Sequence, residues 1–221
     1  MKYAINGRFV VRKLTGQERF ATELLRELDK ICDKDEFVLV VPEYADTLPD
    51  YKNIKIVKYG RVKSHFWEQI SLYRYCKKHH LVSVNLTSTC PLLESGIVCC
   101  HDAAPYEIHD LLTQNLYGKL SQVWHMWMID AVKRSKYPII TVSHYSKARL
   151  AKFMHVPESR FHVISNAWQH YQRVNEDDSI FDKLPKGYQR GEYFMALSSL
   201  TPQKNFVWVK EVAKRNPNKK F

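Results

Sequence analysis

The 221-residue sequence is 45% hydrophobic and 26% charged, the balance of a soluble, core-forming chain, which excludes a disordered or fibrous protein. Its 34 Lys+Arg against 23 Asp+Glu leave a net charge of +11, which draws a protein toward phosphates, nucleotides, anionic lipid or nucleic acid without choosing among them. The five cysteines, Cys32, Cys76, Cys90, Cys99 and Cys100, are odd in number and lack C-x-x-C spacing, which points to a reduced intracellular protein without a disulfide framework.

The first residues, MKYAINGRFVV, form a short apolar strand over Tyr3 to Ile5 that breaks at Asn6, Gly7 and Arg8, so they lack the continuous apolar stretch of a signal peptide. No run approaches the ~18 apolar residues of a membrane span. The expectation is a cytoplasmic protein, at most peripheral at the inner face of a membrane. Thr15 to Leu28 follows, with Phe20, Leu24 and Leu28 at i, i+4 and i+8 and Glu23, Arg26 and Glu27 on other faces, the pattern of a surface helix packed on a sheet.

Further strands are expected at Phe37 to Val41, Ile54 to Val57, Leu81 to Asn85, Ile97 to Cys100, Ile139 to Val142 and Phe161 to Ile164. Their alternation with helical stretches predicts an α/β fold, a Rossmann-like parallel sheet with helices on both faces. Around the third strand lies a basic tract, Lys52, Lys55, Lys58, Arg61 and Lys63, which is a solvated face or a contact for an anionic membrane surface. The helix opening at His65-Phe66-Trp67-Glu68-Gln69 places Phe66, Ile70 and Tyr73 on one stripe, read as core, with Glu68 and Gln69 given no forced role.

The polar segment 174–191, rich in Pro and Gly, reads as a linker after a first domain spanning 1–173. Residues 192–221 then offer one apolar strand, Tyr193 to Leu197, a turn at Thr201-Pro202 and one helix, Asn205 to Arg215. One strand and one helix bury too little surface to stand alone. They read as the incomplete start of a second Rossmann-like domain.

Three stretches carry chemistry. In TGQERFA, Gly16 stands just before a helix, where backbone N–H groups can approach an anion or a sugar, although Thr15 capping a tight turn explains the same residues. His101-Asp102 follows the apolar run IVCC, at the C-terminal end of a buried parallel strand where open α/β sheets bind ligands. His101 there either bonds a hydroxyl and stabilises developing charge, with Asp102 orienting a loop, or is satisfied by backbone. Zinc held by Cys99, Cys100 and His101 is disfavoured because adjacent strand residues point to opposite faces, and no other histidine spacing suggests a metal. Ser143, after the strand PIITV, is a helix N-cap, or the helix N-terminus it opens binds an anion at the strand's end; a Ser-His hydrolase is rejected because G-x-S-x-G and a third acid partner are missing. The dinucleotide fingerprint is absent, against an NAD enzyme, and no RNP, zinc-finger or helix-turn-helix pattern supports nucleic-acid binding.

Read in order, INGRF with TGQERFA, WEQ at Trp67 to Gln69, HD at His101 and Asp102, TVSHYSK at Thr141 to Lys147 and LTPQKN at Leu200 to Asn205 resemble bacterial glycosyltransferases of family 4, of the O-antigen mannosyltransferase type. The resemblance implies the two-domain GT-B fold and a retaining transfer of a hexose from a nucleotide sugar to a glycan or lipid-linked saccharide, with no metal or other cofactor. By the same resemblance Thr15, Gly16 and Arg19 lie in the loop near the donor phosphates and acceptor, and His101 contacts the transferred sugar. Lys204 pairs with the diphosphate, and Ser199 falls in the donor-binding stretch. The chain departs from the pattern at Asn166-Ala167, at Tyr73 and at Ser198-Ser199, which stand in place of Asn-Gly, Pro and Gly-Arg. The E-x7-E element is missing, so the resemblance implies a truncated enzyme, weakly active or inactive, or a binding or membrane-surface module derived from one.

Overall fold

The structure, a computed structural model, describes residues 2–107, 116–197 and 204–221, apart from the side chain of Tyr117. The chain divides into two compact units, Met1–Trp168 and Gln169–Phe221.

Seven strands build the first unit: β1 (Tyr3–Asn6), β2 (Phe37–Val41), β3 (Lys55–Lys58), β4 (Val82–Asn85), β5 (Ile97–Cys99), β6 (Ile139–Thr141) and β7 (Phe161–Val163). Each of the seven strands expected between residues 3 and 164 is present. All pairs are parallel, in the order β3-β2-β1-β4-β5-β6-β7. The chain therefore winds outward from β1 to β3, then returns to place β4 on the other side of β1. This makes the β1/β4 boundary the topological switch point, where a crevice opens at the C-terminal strand ends.

Alternation along β1 sends neighbouring side chains into different cores. Ile5 and Leu39 pack with Phe20, Ala21 and Leu25 of α1 (Gly16–Ile31), whereas Ala4, Val38 and Val40 pack with Trp67, Leu72 and Tyr75. Cys99 and Cys100 divide in the same way between two clusters, the second of which joins Val98, Ile139 and Phe161 to α5 (Leu116–Arg134) and α6 (His144–Met154). Each fully buried aliphatic side chain in these layers contributes about 1.5–3 kcal/mol. The Lys residues of β3 explain part of the basic tract: Lys55 and Lys58 end an edge strand, where exposed lysine discourages pairing with another chain.

The helix after β3 departs from the expected stripe. It runs as α2 (His65–Trp67), a π-helical segment (Glu68–Leu72) and α3 (Tyr73–His79). Phe66 is 66% exposed, and Ile70 also faces outward. The buried positions are Trp67, Glu68, Ser71, Leu72, Tyr75 and Cys76 instead. The buried residues recur at i, i+4 and i+8 one position further along, on a stripe that Glu68 and Ser71 make look polar, so the apolar reading selects the outward side.

In the second unit α7 (Phe206–Arg215) forms as expected, but residues 193–197 form no strand. A strand exists only through its ladder, and the Phe194 N–H makes one bond, 2.8 Å to the Lys220 carbonyl. No residue of α7 is buried.

Candidate functional site

The turn leaving β1 sets the geometry of the crevice. Gly7 is required there by packing, because a Cβ would lie 2.4 Å from the Val40 carbonyl oxygen and 2.6 Å from Val41 Cγ1. Asn6 ends the strand by accepting the Arg8 N–H at 3.2 Å, while its Nδ2 donates to Glu68 Oε1 at 2.7 Å and to Asn85 Oδ1 at 3.0 Å. Arg8 is thereby turned into the fold, where it is almost fully buried.

Glu68, wholly buried, is the anion that balances it. Its Oε1 accepts from Asn6 and from Thr89 Oγ1, each at 2.7 Å, and lies 3.2 Å from Arg8 Nε in an ion pair without hydrogen-bond alignment. Burial alone would push this carboxyl up, but the Arg8 charge and the Thr89 and Asn6 donors hold it below the ordinary glutamate range. Its neighbours in the motif are committed too. Trp67 Nε1 donates to the Tyr59 carbonyl at 2.8 Å, and the Gln69 amide clamps the Cys90 carbonyl at 2.8 Å and the Leu92 N–H at 2.9 Å. The absence of a forced role for Glu68 and Gln69 is therefore corrected: one neutralises a buried guanidinium, and the other anchors the loop after β4.

That loop, Leu86 to Cys90, joins the Glu68 cluster to His101. The Leu86 carbonyl accepts from His101 Nε2 at 2.9 Å, Ser88 Oγ accepts the His101 N–H at 3.4 Å, and Thr89 reaches Glu68. A carbonyl only accepts, so His101 carries its proton on Nε2 and presents Nδ1 as an acceptor. Burial pushes the His101 imidazole below the ordinary range, against opposing contributions from Leu86, Asp102 and Glu18, and keeps it neutral at pH 7. The reading of a strand-end histidine satisfied by backbone is met at Nε2. Asp102 orients the following turn by accepting the Ala104 N–H at 2.9 Å, at the start of α4 (Ala104–Glu107).

The first turn of α1 meets this histidine. Phe20 packs edge-on against the His101 ring, centroids 5.0 Å apart. Thr15 is the N-cap of α1, and buried Glu18 closes a capping box by accepting from the Thr15 N–H at 3.1 Å and from its hydroxyl. Arg12 Nε pairs with Glu18 Oε1 at 3.1 Å. Gly16 and Arg19 are exposed, and a Cβ at Gly16 would meet nothing within 4 Å. The fold therefore asks for glycine at 7 but not at 16. Ser143 caps α6 as expected, accepting the Ser146 N–H at 3.0 Å.

The structure thus sets α1, through Phe20, against His101 at the end of β5, and Thr15, Gly16 and Arg19 lie at the start of that helix. A comparison with known protein families matches residues 14–168 to Glycosyltransferase Family 4. The chain belongs to Glycosyltransferase Family 4. A search among curated proteins finds no match. Within this Glycosyltransferase Family 4 chain Lys204 is an exposed residue of the second unit, and Ser199 lies outside the described residues. Among the described residues no group of His, Cys, Asp or Glu is arranged to hold a metal, and no helix is long and apolar enough to cross a membrane.

Sequence reasoning passed over Asn6, Arg8, His65, Glu68 and Thr89. The available signal was a glutamate placed directly after Trp67 on an otherwise apolar helix face, next to the INGRF turn whose arginine has no acid nearby in sequence. Their pairing spans 62 residues and depends on β4 crossing to the far side of β1.

Proposed function

We propose that the matched domain is the acceptor-side domain of a retaining hexosyltransferase, which takes a hexose from a nucleotide sugar and passes it to a glycan or lipid-linked saccharide in surface polysaccharide synthesis at the cytoplasmic face of the membrane. The observation that carries the reading is His101: neutral, fixed through Nε2 to Leu86, packed on Phe20 of α1, and at the C-terminal end of a parallel strand. In this reading Nδ1 accepts a hydroxyl of the transferred sugar and steadies the ring as charge develops at its anomeric carbon. The backbone N–H groups behind Thr15, with glycine at 16, let a phosphate or sugar approach the start of α1 closely. Arg19 on the same turn adds positive charge. Lys204 supplies a compact cation for the diphosphate, with Ser199 in the same donor-binding stretch, so the phosphate charge is met by protein groups rather than by a metal.

The test is to incubate the complete gene product with a panel of uridine and guanosine diphosphate hexoses and to follow nucleoside diphosphate release with and without oligosaccharide acceptors. Release from at least one donor, stimulated by an acceptor, is expected. No release from any donor contradicts the reading.

A further inference from the structure

His65 opens α2, and its side chain is 45% exposed, yet the atoms behind it are among the most buried polar groups in the first unit. Arg8 Nη2 lies 3.2 Å from His65 Nδ1 and 3.3 Å from Thr89 Oγ1. A guanidinium only donates, so Nδ1 accepts and the ring proton sits on Nε2. The wholly buried Glu68 fixes Arg8 in turn, and its Oε2, unpartnered in the fold, stands 3.6 Å from the same Nδ1. Trp124 of α5 flanks the ring at 5.5 Å between centroids, with its own buried Nε1 also unpartnered. Three side chains taken out of water to set the tautomer of one half-exposed imidazole is an expensive arrangement for a ring with nothing to bind.

The ring stands over the β1/β4 switch point, since Arg8 follows β1 and Thr89 follows β4. Its chemistry selects among ligands. The Arg8 charge is paired with Glu68, and burial, with the nearby His65, pushes His125 below the ordinary histidine range. The group offered to the crevice is thus an imidazole N–H beside an indole, with the nearest guanidinium already paired, suited to a hydroxyl on an apolar-faced ring rather than to a phosphate.

We propose that His65 is a saccharide-positioning residue, donating through Nε2–H to a hydroxyl of the acceptor, and that Arg8 and Glu68 hold it in the tautomer that can do so. The acceptor identity rests on the glycosyl-transfer reading above. The tautomer and the preference for a neutral polyol do not.

Two measurements test it. Long-range proton–nitrogen NMR of the His65 ring in the full chain is expected to show Nε2 protonated, and titration with methyl glucoside, mannoside and galactoside is expected to move that signal for at least one sugar while inorganic phosphate leaves it in place. A proton on Nδ1, or a response to phosphate alone, overturns the proposal whatever the enzyme's reaction. In the complete gene product, His65→Ala is expected to raise the acceptor KM by about tenfold or more with kcat changed less than threefold, and His65→Gln, which keeps a donor at the same reach, to restore KM to within about threefold. Equal KM in the wild type and His65→Ala overturns it, as does an equal loss in both variants with a matching drop in thermal stability. Absence of any glycosyl transfer condemns the reaction assigned above, while the NMR outcome still decides the role of His65.

Discussion

Asn6 Nδ2 donates to Glu68 Oε1 at 2.7 Å, joining the end of the first strand to a helix 62 residues later in a contact closed to water. Around that bond sit Arg8 and Thr89, so the carboxylate balances one buried charge and satisfies two neutral donors. Removing it while Arg8 remains leaves an uncompensated guanidinium. Glu68→Ala is expected to destabilise the first unit by about 3–5 kcal/mol in urea unfolding. The double variant Arg8→Met with Glu68→Leu should cost less than Glu68→Ala alone, because an apolar pair carries no desolvation debt. A double variant as damaging as the sum of its singles would show that the two charges do not act as a pair.

The two glycines of INGRF and TGQERFA should separate fold from function. Gly7→Ala forces a methyl into the Val40 carbonyl and Val41, and is expected to cost about 1–3 kcal/mol. Gly16→Ala enters open space at the start of a helix, where alanine lowers the entropy of the unfolded chain, so stability should hold or rise by up to about 1 kcal/mol. Transfer should nonetheless fall by about tenfold or more if a ligand approaches that backbone. Thermal melts paired with turnover for each variant decide it, and full turnover in Gly16→Ala would return TGQERFA to a simple helix cap.

Acid should unfold this protein in two stages. Burial holds His101 and His125 below the ordinary histidine value of about 6.5, so in the window just under that value the unfolded chain binds more protons than the folded one. Stability from these residues is complete above about pH 6.5 and is lost as the pH falls through the window. Glu68 and Asp29 are shifted down as carboxylates, Asp29 against its burial by the N–H groups of Lys52, Asn53 and Ile54, so their stabilisation persists to lower pH and is lost below the ordinary carboxylate range. Urea midpoints measured from pH 8 to pH 3 should show both stages. His101→Gln with His125→Gln should flatten the first and leave the second.

The seven strands were legible because each is a short apolar run bounded by polar or Gly/Pro residues, a signal that survives without knowledge of neighbours. His101 and Ser143 were legible for the same reason, since a residue just beyond a parallel strand is placed by the strand itself. The buried face after β3 was not, because it carries Glu68 and Ser71, and polar residues on a buried stripe hide it from a reading that looks for apolar spacing. Glu68 and Arg8 were hidden by distance: each looks like an ordinary surface charge until the crossover from β3 to β4 brings the turn after β1 under the helix. The segment 193–197 shows the converse, an apolar run that reads as a strand but has no ladder to join among the described residues.

We propose that His101 serves glycosyl transfer through a neutral imidazole that offers Nδ1 to the substrate. It is tested most directly by comparing wild type and His101→Ala in the complete gene product, with the donor that the nucleotide-sugar panel identifies. A loss of about 10²-fold or more in kcat/KM is expected, with thermal stability changed little. Turnover within a few-fold of wild type, in a variant shown to be folded, would contradict it.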